Sequence, residues 1–159
     1  MTVYHGTAVS FSSVDLSKSR DRRDFGRGFY TTTVFDQAAS WAKTVFMRYG
    51  GDGRFVKIYR FEDSGLLKVR RFDGMTREWL DFVKENRAKG GVQHGYDIVI
   101  GPVANDNTMR TIMFYVSGVY TAEMALEQLR FFKVNDQVSF HTERALSCLK
   151  EIRTEVLNG

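Results

Sequence analysis

Two hydrophobic periods run along the chain, and the switches between them mark the elements. Thr2 to Thr7, and Phe29 to Val34 behind two closely spaced glycines, are rich in β-branched and aromatic residues and predict strands. Ala38, Trp41, Ala42, Val45, Phe46 and Tyr49 recur at i, i+3, i+4, i+7, i+8 and i+11 after Asp36, which predicts a helix capped by Asp36 and stopped at Gly50 and Gly51. Arg54 to Phe61 alternates and predicts a strand, and Leu66 to Val69 suggests another. Met75, Trp79, Phe82 and Val83 share a helical face that ends at Gly90 and Gly91, and Asp97 to Gly101 reads as a buried strand closed by Pro102. Met109, Ile112, Met113 and Val116 predict one helix; Ala122, Ala125, Leu126 and Leu129, capped by Thr121, predict the next. Gln137 to Phe140 is strand-like, and Ala145, Cys148, Leu149 and Ile152 predict a last helix begun near Thr142.

This order lacks the regular strand–helix alternation of a doubly wound sheet and predicts an α+β fold. No internal repeat or linker divides the chain, so residues 1–159 form one expected domain. Thirteen Phe, seven Tyr and two Trp supply enough apolar area to exclude a disordered chain. No apolar run approaches the roughly 20 residues of a membrane span, and the opening MTVYHGTAVS lacks the basic and apolar regions of a signal peptide, so a cytoplasmic protein with no membrane partner is expected. The single cysteine, Cys148, fits a reducing compartment and removes every cysteine-based metal motif.

The net charge of +4 is local. Lys18, Arg20, Arg22, Arg23 and Arg27 against Asp21 and Asp24 account for most of it. Such a loop fits a nucleic-acid footprint or the neighbourhood of a small anionic ligand. Asp24-Phe25-Gly26 imitates a kinase triplet without the rest of that signature, Gly26-Arg27-Gly28 lacks a Rossmann third glycine, and His5, His94 and His141 have no metal-ligand spacing, so no metal is expected.

One constellation makes chemical sense together. Tyr4-His5-Gly6-Thr7 sets an imidazole at a strand end before a glycine. Gly28-Phe29-Tyr30-Thr31-Thr32 sets a phenol and hydroxyls on the next strand, and Asp36-Gln37-Ala38-Ala39-Ser40-Trp41 begins a helix bearing a second aromatic. Two aromatics can sandwich a flat cationic ring by stacking and cation–π attraction.

These segments resemble the ADP-ribosyltransferase superfamily, in particular its diphtheria-toxin-like class, whose hallmark is a His, a Tyr and a Glu on three strands. That class carries a Y-H-G-T strand, a G-F-Y-S-T strand and a D-A-A-G-Y helix start, and the spacing from Tyr30 to Trp41 is kept here. The run from Asp24 to Thr32, with Ala104-Asn105-Asp106-Asn107, also resembles an uncharacterised bacterial family grouped with these transferases and often found beside toxin–antitoxin genes.

The resemblance implies a split β-sandwich with flanking helices and NAD in the cleft between the sheets. His5 would bond the adenosine ribose, Gly6 the nicotinamide carboxamide, and Tyr30 and Trp41 would flank the nicotinamide. Thr7, Arg27, Gly28, Thr31, Asn105 and Asp106 complete the implied NAD site. The third hallmark position falls on Gln137, a neutral amide where the class has glutamate. A carboxylate stabilises an oxocarbenium-like ribose as an amide does not, so Glu143 or Asp106 is the alternative source of charge. The implied activity is NAD-dependent mono-ADP-ribosyl transfer to a protein or nucleic-acid acceptor by a bacterial toxin or effector, with a small antitoxin as partner. The rivals are an NAD-dependent RNA 2′-phosphotransferase of the same fold and a non-catalytic NAD- or nucleic-acid-binding module.

Overall fold

A computed structural model describes residues 1–104, 106–132 and 136–158, with the side chains of Asp106 and Asn107 left aside. Seven strands, β1 (Thr2–Thr7), β2 (Phe29–Thr32), β3 (Phe55–Phe61), β4 (Val69–Arg71), β5 (Ile98–Pro102), β6 (Asp136–Phe140) and β7 (Leu149–Val156), form one sheet in the order β4-β5-β6-β2-β1-β3-β7. Every pairing is antiparallel except β4 with β5. Five α-helices accompany it: α1 (Phe35–Tyr49), α2 (Arg77–Lys89), α3 (Asp106–Val116), α4 (Ala122–Leu129) and α5 (Glu143–Leu146). The fold is mixed α and β, as the sequence predicts.

The sheet has a weak joint. β1 and β3 pair along six residues and β2 and β6 along four, but β1 meets β2 only at Tyr4 and Thr32. At this joint the sheet folds over. Phe61 on β3 and Phe140 on β6 stand three strand spacings apart in the ladder, about 14 Å if flat, yet their ring centroids are 5.7 Å apart. Val3, Phe29, Tyr59, Ile98, Ile100, Val138 and Phe140 fill the fold between the two halves.

Residues paired across strands share a face. Tyr30, Thr32, Gln137, Ser139, Val99 and Tyr4 therefore lie on the outer face. Over the β5-β6-β2 half, that face is covered by Trp79, Leu80 and Val83 of α2, Ile112 and Tyr115 of α3, and Ala125 and Leu129 of α4. Over β1 and β3 it is covered by α1, which packs so closely that a Cβ on Gly6 would sit 1.9 Å from the Ala38 carbonyl oxygen. The close approach that Gly6 permits is thus to a helix backbone.

Three sequence expectations change. The predicted last helix is one turn, α5, followed by strand β7. β7 pairs with the outer edge of β3, and the register skips Ile152 between Arg153 and Glu151. Leu149 and Ile152 are three apart because of a bulge, which imitates helical spacing. The strand expected at Leu66–Val69 begins at Val69, where β5 offers a partner. Asp36 lies inside α1, whose N-cap is Val34 without a side-chain cap.

Candidate functional site

His5 projects to the inner face of β1, its ring 4.3 Å from that of Phe29 and edge-on to Phe11. Its Nδ1 lies 2.6 Å from the Tyr30 carbonyl oxygen. A carbonyl only accepts, so Nδ1 carries the proton and Nε2 is left with its lone pair. Burial, helped by the charges of Arg23 and Lys57, pushes the imidazole down to about 4 against that backbone bond. His5 is a neutral ring offering one acceptor, suited to a hydroxyl.

Tyr30 stands on the other face of the sheet, with a ring only 4% exposed. Its hydroxyl donates to the Gly26 carbonyl at 2.6 Å and accepts from the Phe25 N–H at 2.9 Å, and burial pushes the phenol above its ordinary range. The Arg23 guanidinium lies 4.2 Å from the ring centroid. The two candidate rings are on opposite faces, connected through the Tyr30 carbonyl beside the weak joint.

Gln137 is 1% exposed. Its amide nitrogen donates to Asp24 Oδ2 at 3.2 Å and to the Pro102 carbonyl at 3.3 Å. Asp24, also buried, accepts from Arg87 Nε at 2.8 Å and Nη2 at 2.5 Å and from the Ala104 N–H at 3.1 Å. Of the two acids expected to supply charge, Glu143 is exposed at the start of α5, and the Asp106 side chain lies outside the described residues, as Asn105 does wholly. The carboxylate bonded to Gln137 is Asp24. Sequence reasoning dismissed it with the Asp-Phe-Gly triplet, and no local signal announces a contact across 113 residues.

The histidines, far apart in sequence, converge on one segment. His94 Nε2 lies 2.8 Å from the Phe25 carbonyl, His141 Nδ1 2.8 Å from that of Arg27, and His5 Nδ1 bonds that of Tyr30. Each of those nitrogens must donate. His141 Nε2 accepts from Ser139 Oγ at 2.7 Å, and burial pushes its imidazole down to about 4. Gly28 makes room for it, because a Cβ there would lie 2.6 Å from His141 Nδ1. Three neutral histidines thus fix the carbonyls of residues 25, 27 and 30. Among the described residues no group of His, Cys, Asp and Glu could hold a metal.

The remaining predicted residues divide. Thr31 Oγ1 donates to the Val138 carbonyl, and Thr7 Oγ1 accepts from the Val9 N–H in a local turn. Trp41 is half-buried on α1. Arg27 approaches Asp21 at 3.7 Å, and its buried Nε has no partner. Of the other loop cations, Arg22 donates to the carbonyls of Arg87 and Ala88 at the end of α2, and Arg20 lies over Tyr49. A separate groove of about 350 Å³ on the inner face is lined by Met1, Phe61, Ile98, Ile100 and Arg71 among others, and none of the predicted site residues reaches it.

No curated protein and no solved structure matches this chain. A family model does, described as a protein of unknown function, DUF3990, and it spans residues 1–150. With that span carrying the histidine-pinned segment and both candidate rings, the chain belongs to the DUF3990 family.

Proposed function

We propose that this protein is an NAD-dependent mono-ADP-ribosyltransferase with a site at the β1–β2 joint. The observation that carries the reading is the flat cation on the face of Tyr30. Cation–π attraction is worth about 2 kcal/mol where the partners are desolvated, so a ring already holding guanidinium suits a nicotinamide cation. The neutral His5, with its Nε2 lone pair, supports the same reading as an acceptor for a ribose hydroxyl. The buried Arg27 Nε without a partner adds a donor suited to an anionic or carbonyl oxygen. NAD carries its cationic ring and its adenosine ribose at separate ends, which fits two groups on opposite sides of a one-pair joint.

NAD supplies an activated glycosidic bond: nicotinamide leaves with the bonding pair, the acceptor nucleophile bonds to the ribose carbon, and the acceptor loses a proton. The chain's part is to orient the two ends, His5 by accepting and Tyr30 by stacking. The toxin-like setting and a small antitoxin partner belong to the same proposal. Purified protein incubated with NAD and a cell extract is expected to release nicotinamide and label a macromolecule, and His5→Ala is expected to abolish both. NAD intact after prolonged incubation, without measurable binding, overturns the reading.

One observation favours a second reading. Gln137 replaces the class's glutamate, its amide nitrogen is taken up by Asp24 and the Pro102 carbonyl, and the Asp24 carboxylate beside it is already held by Arg87, so the position presents no free carboxylate. A module that binds NAD without cleaving it accommodates this, and NAD binding without nicotinamide release identifies it.

A further inference from the structure

We propose that Arg23 gates the Tyr30 face: its guanidinium occupies the place a flat cationic ring would take and must leave before that ring binds. The inference rests on the NAD reading above and adds a closed state to it. Tyr30 is 4% exposed while Arg23 is half-buried, so the arginine is the layer between the aromatic face and solvent. The backbone on either side is held. Asp21 accepts from the Gly91 N–H at 2.6 Å, Arg22 reaches two carbonyls at the end of α2, and Asp24 is clamped by Arg87. Arg22 even adopts φ of 55°, a conformation non-glycine residues rarely take, to keep that course. With its neighbours pinned, the movable part of the segment is the Arg23 side chain.

The same charge acts on His5, so one residue bears on both candidate rings. Occupancy is competitive by construction. Guanidinium and pyridinium are both flat cations, and one ring face holds one of them at a time. A ligand that needs this face therefore binds with its affinity reduced by the fraction of time the arginine sits there.

The test compares NAD with ADP-ribose, which carries the same phosphates and riboses but no nicotinamide ring. Affinities of both for the wild-type chain and for Arg23→Met, which keeps the apolar stem and removes the cation, are measured by calorimetry. The gate predicts that Arg23→Met tightens NAD about tenfold relative to ADP-ribose, roughly 1.4 kcal/mol. Any loss of a phosphate contact weakens both ligands and cancels in the ratio. Arg23→Gln repeats the comparison on a second background, each variant being checked by its melting curve. An unchanged NAD-to-ADP-ribose ratio with measurable NAD binding overturns the gate and leaves the NAD site standing. No binding of NAD by any of the three proteins overturns both.

Discussion

Lowering the pH from 7 to 5 places a proton on histidines of the unfolded chain that the folded chain refuses. His141 is the clearest case, because its Nδ1 donates to the Arg27 carbonyl, its Nε2 accepts from Ser139, and it is 9% exposed. A second proton on Nε2 would put a charge in a site closed to water, and burial is the chief cause that holds the ring neutral. With an ordinary value of 6.5 and a folded value of about 4, the folded form binds fewer protons throughout that interval. Stability is therefore full above about pH 6.5 and falls as the pH drops toward 4. Linkage gives a loss of about 2 kcal/mol from His141 between pH 7 and pH 5, and about 3 kcal/mol once the pH is well below 4. His5, also held near 4, adds a loss in the same direction. Asp97, whose carboxyl is held well below the carboxylate range chiefly by Arg144, stays ionised in both states above about pH 5 and contributes little there. Urea unfolding at half-unit pH steps is expected to show stability rising by about 1 kcal/mol per pH unit per histidine near pH 5. His141→Phe should flatten that slope by one histidine's share. A wild-type slope near zero between pH 7 and 5 would refute the neutral, carbonyl-pinned assignment.

Three further outcomes follow from contacts already described. Gly6→Ala drives a methyl into the Ala38 carbonyl, and overpacking of about 1–3 kcal/mol or more should lower the melting temperature by several degrees; a variant melting with wild type would mean α1 yields freely. Asp24→Ala leaves the largely buried Arg87 charge unpaired, at about 3–5 kcal/mol, whereas Asp24→Leu with Arg87→Met should recover the part due to that charge in denaturant melts but not the part due to the Ala104 N–H and the Gln137 amide, which lose their acceptor in both variants. Gln137→Glu sets a carboxylate against Asp24, whose Oδ2 now lies 3.2 Å from the amide nitrogen. It should lose stability near neutral pH and regain part of it on mild acidification, and higher nicotinamide release with unchanged stability would contradict the pairing.

The elements were legible in the sequence where one period dominated. α1 and α2 follow from their apolar spacing and stop at Gly50 and Gly90, and β1, β3 and β6 follow from alternation and β-branched content. β7 was not, because its bulge at Ile152 sets two apolar residues at a helical interval and the deciding partner, β3, is nearly a hundred residues away. His5 and Tyr30 were singled out by pattern, and the structure connects them through a backbone carbonyl rather than side by side. Asp24, His94 and His141 escaped for one reason: each acts on a group distant in sequence, and a lone polar residue gives no sign of such a partner.

The place of β3 between β1 and the late strand β7 bears on synthesis. Its outer neighbour is β7, whose first residue emerges 88 positions after Phe61, the last of β3. At about 5–20 residues per second, the ribosome leaves the FVKIYRF strand without that partner for roughly 4–18 seconds. A strand with an open hydrogen-bonding edge is a template for association, so this is a stretch of nascent chain that a chaperone has time to bind.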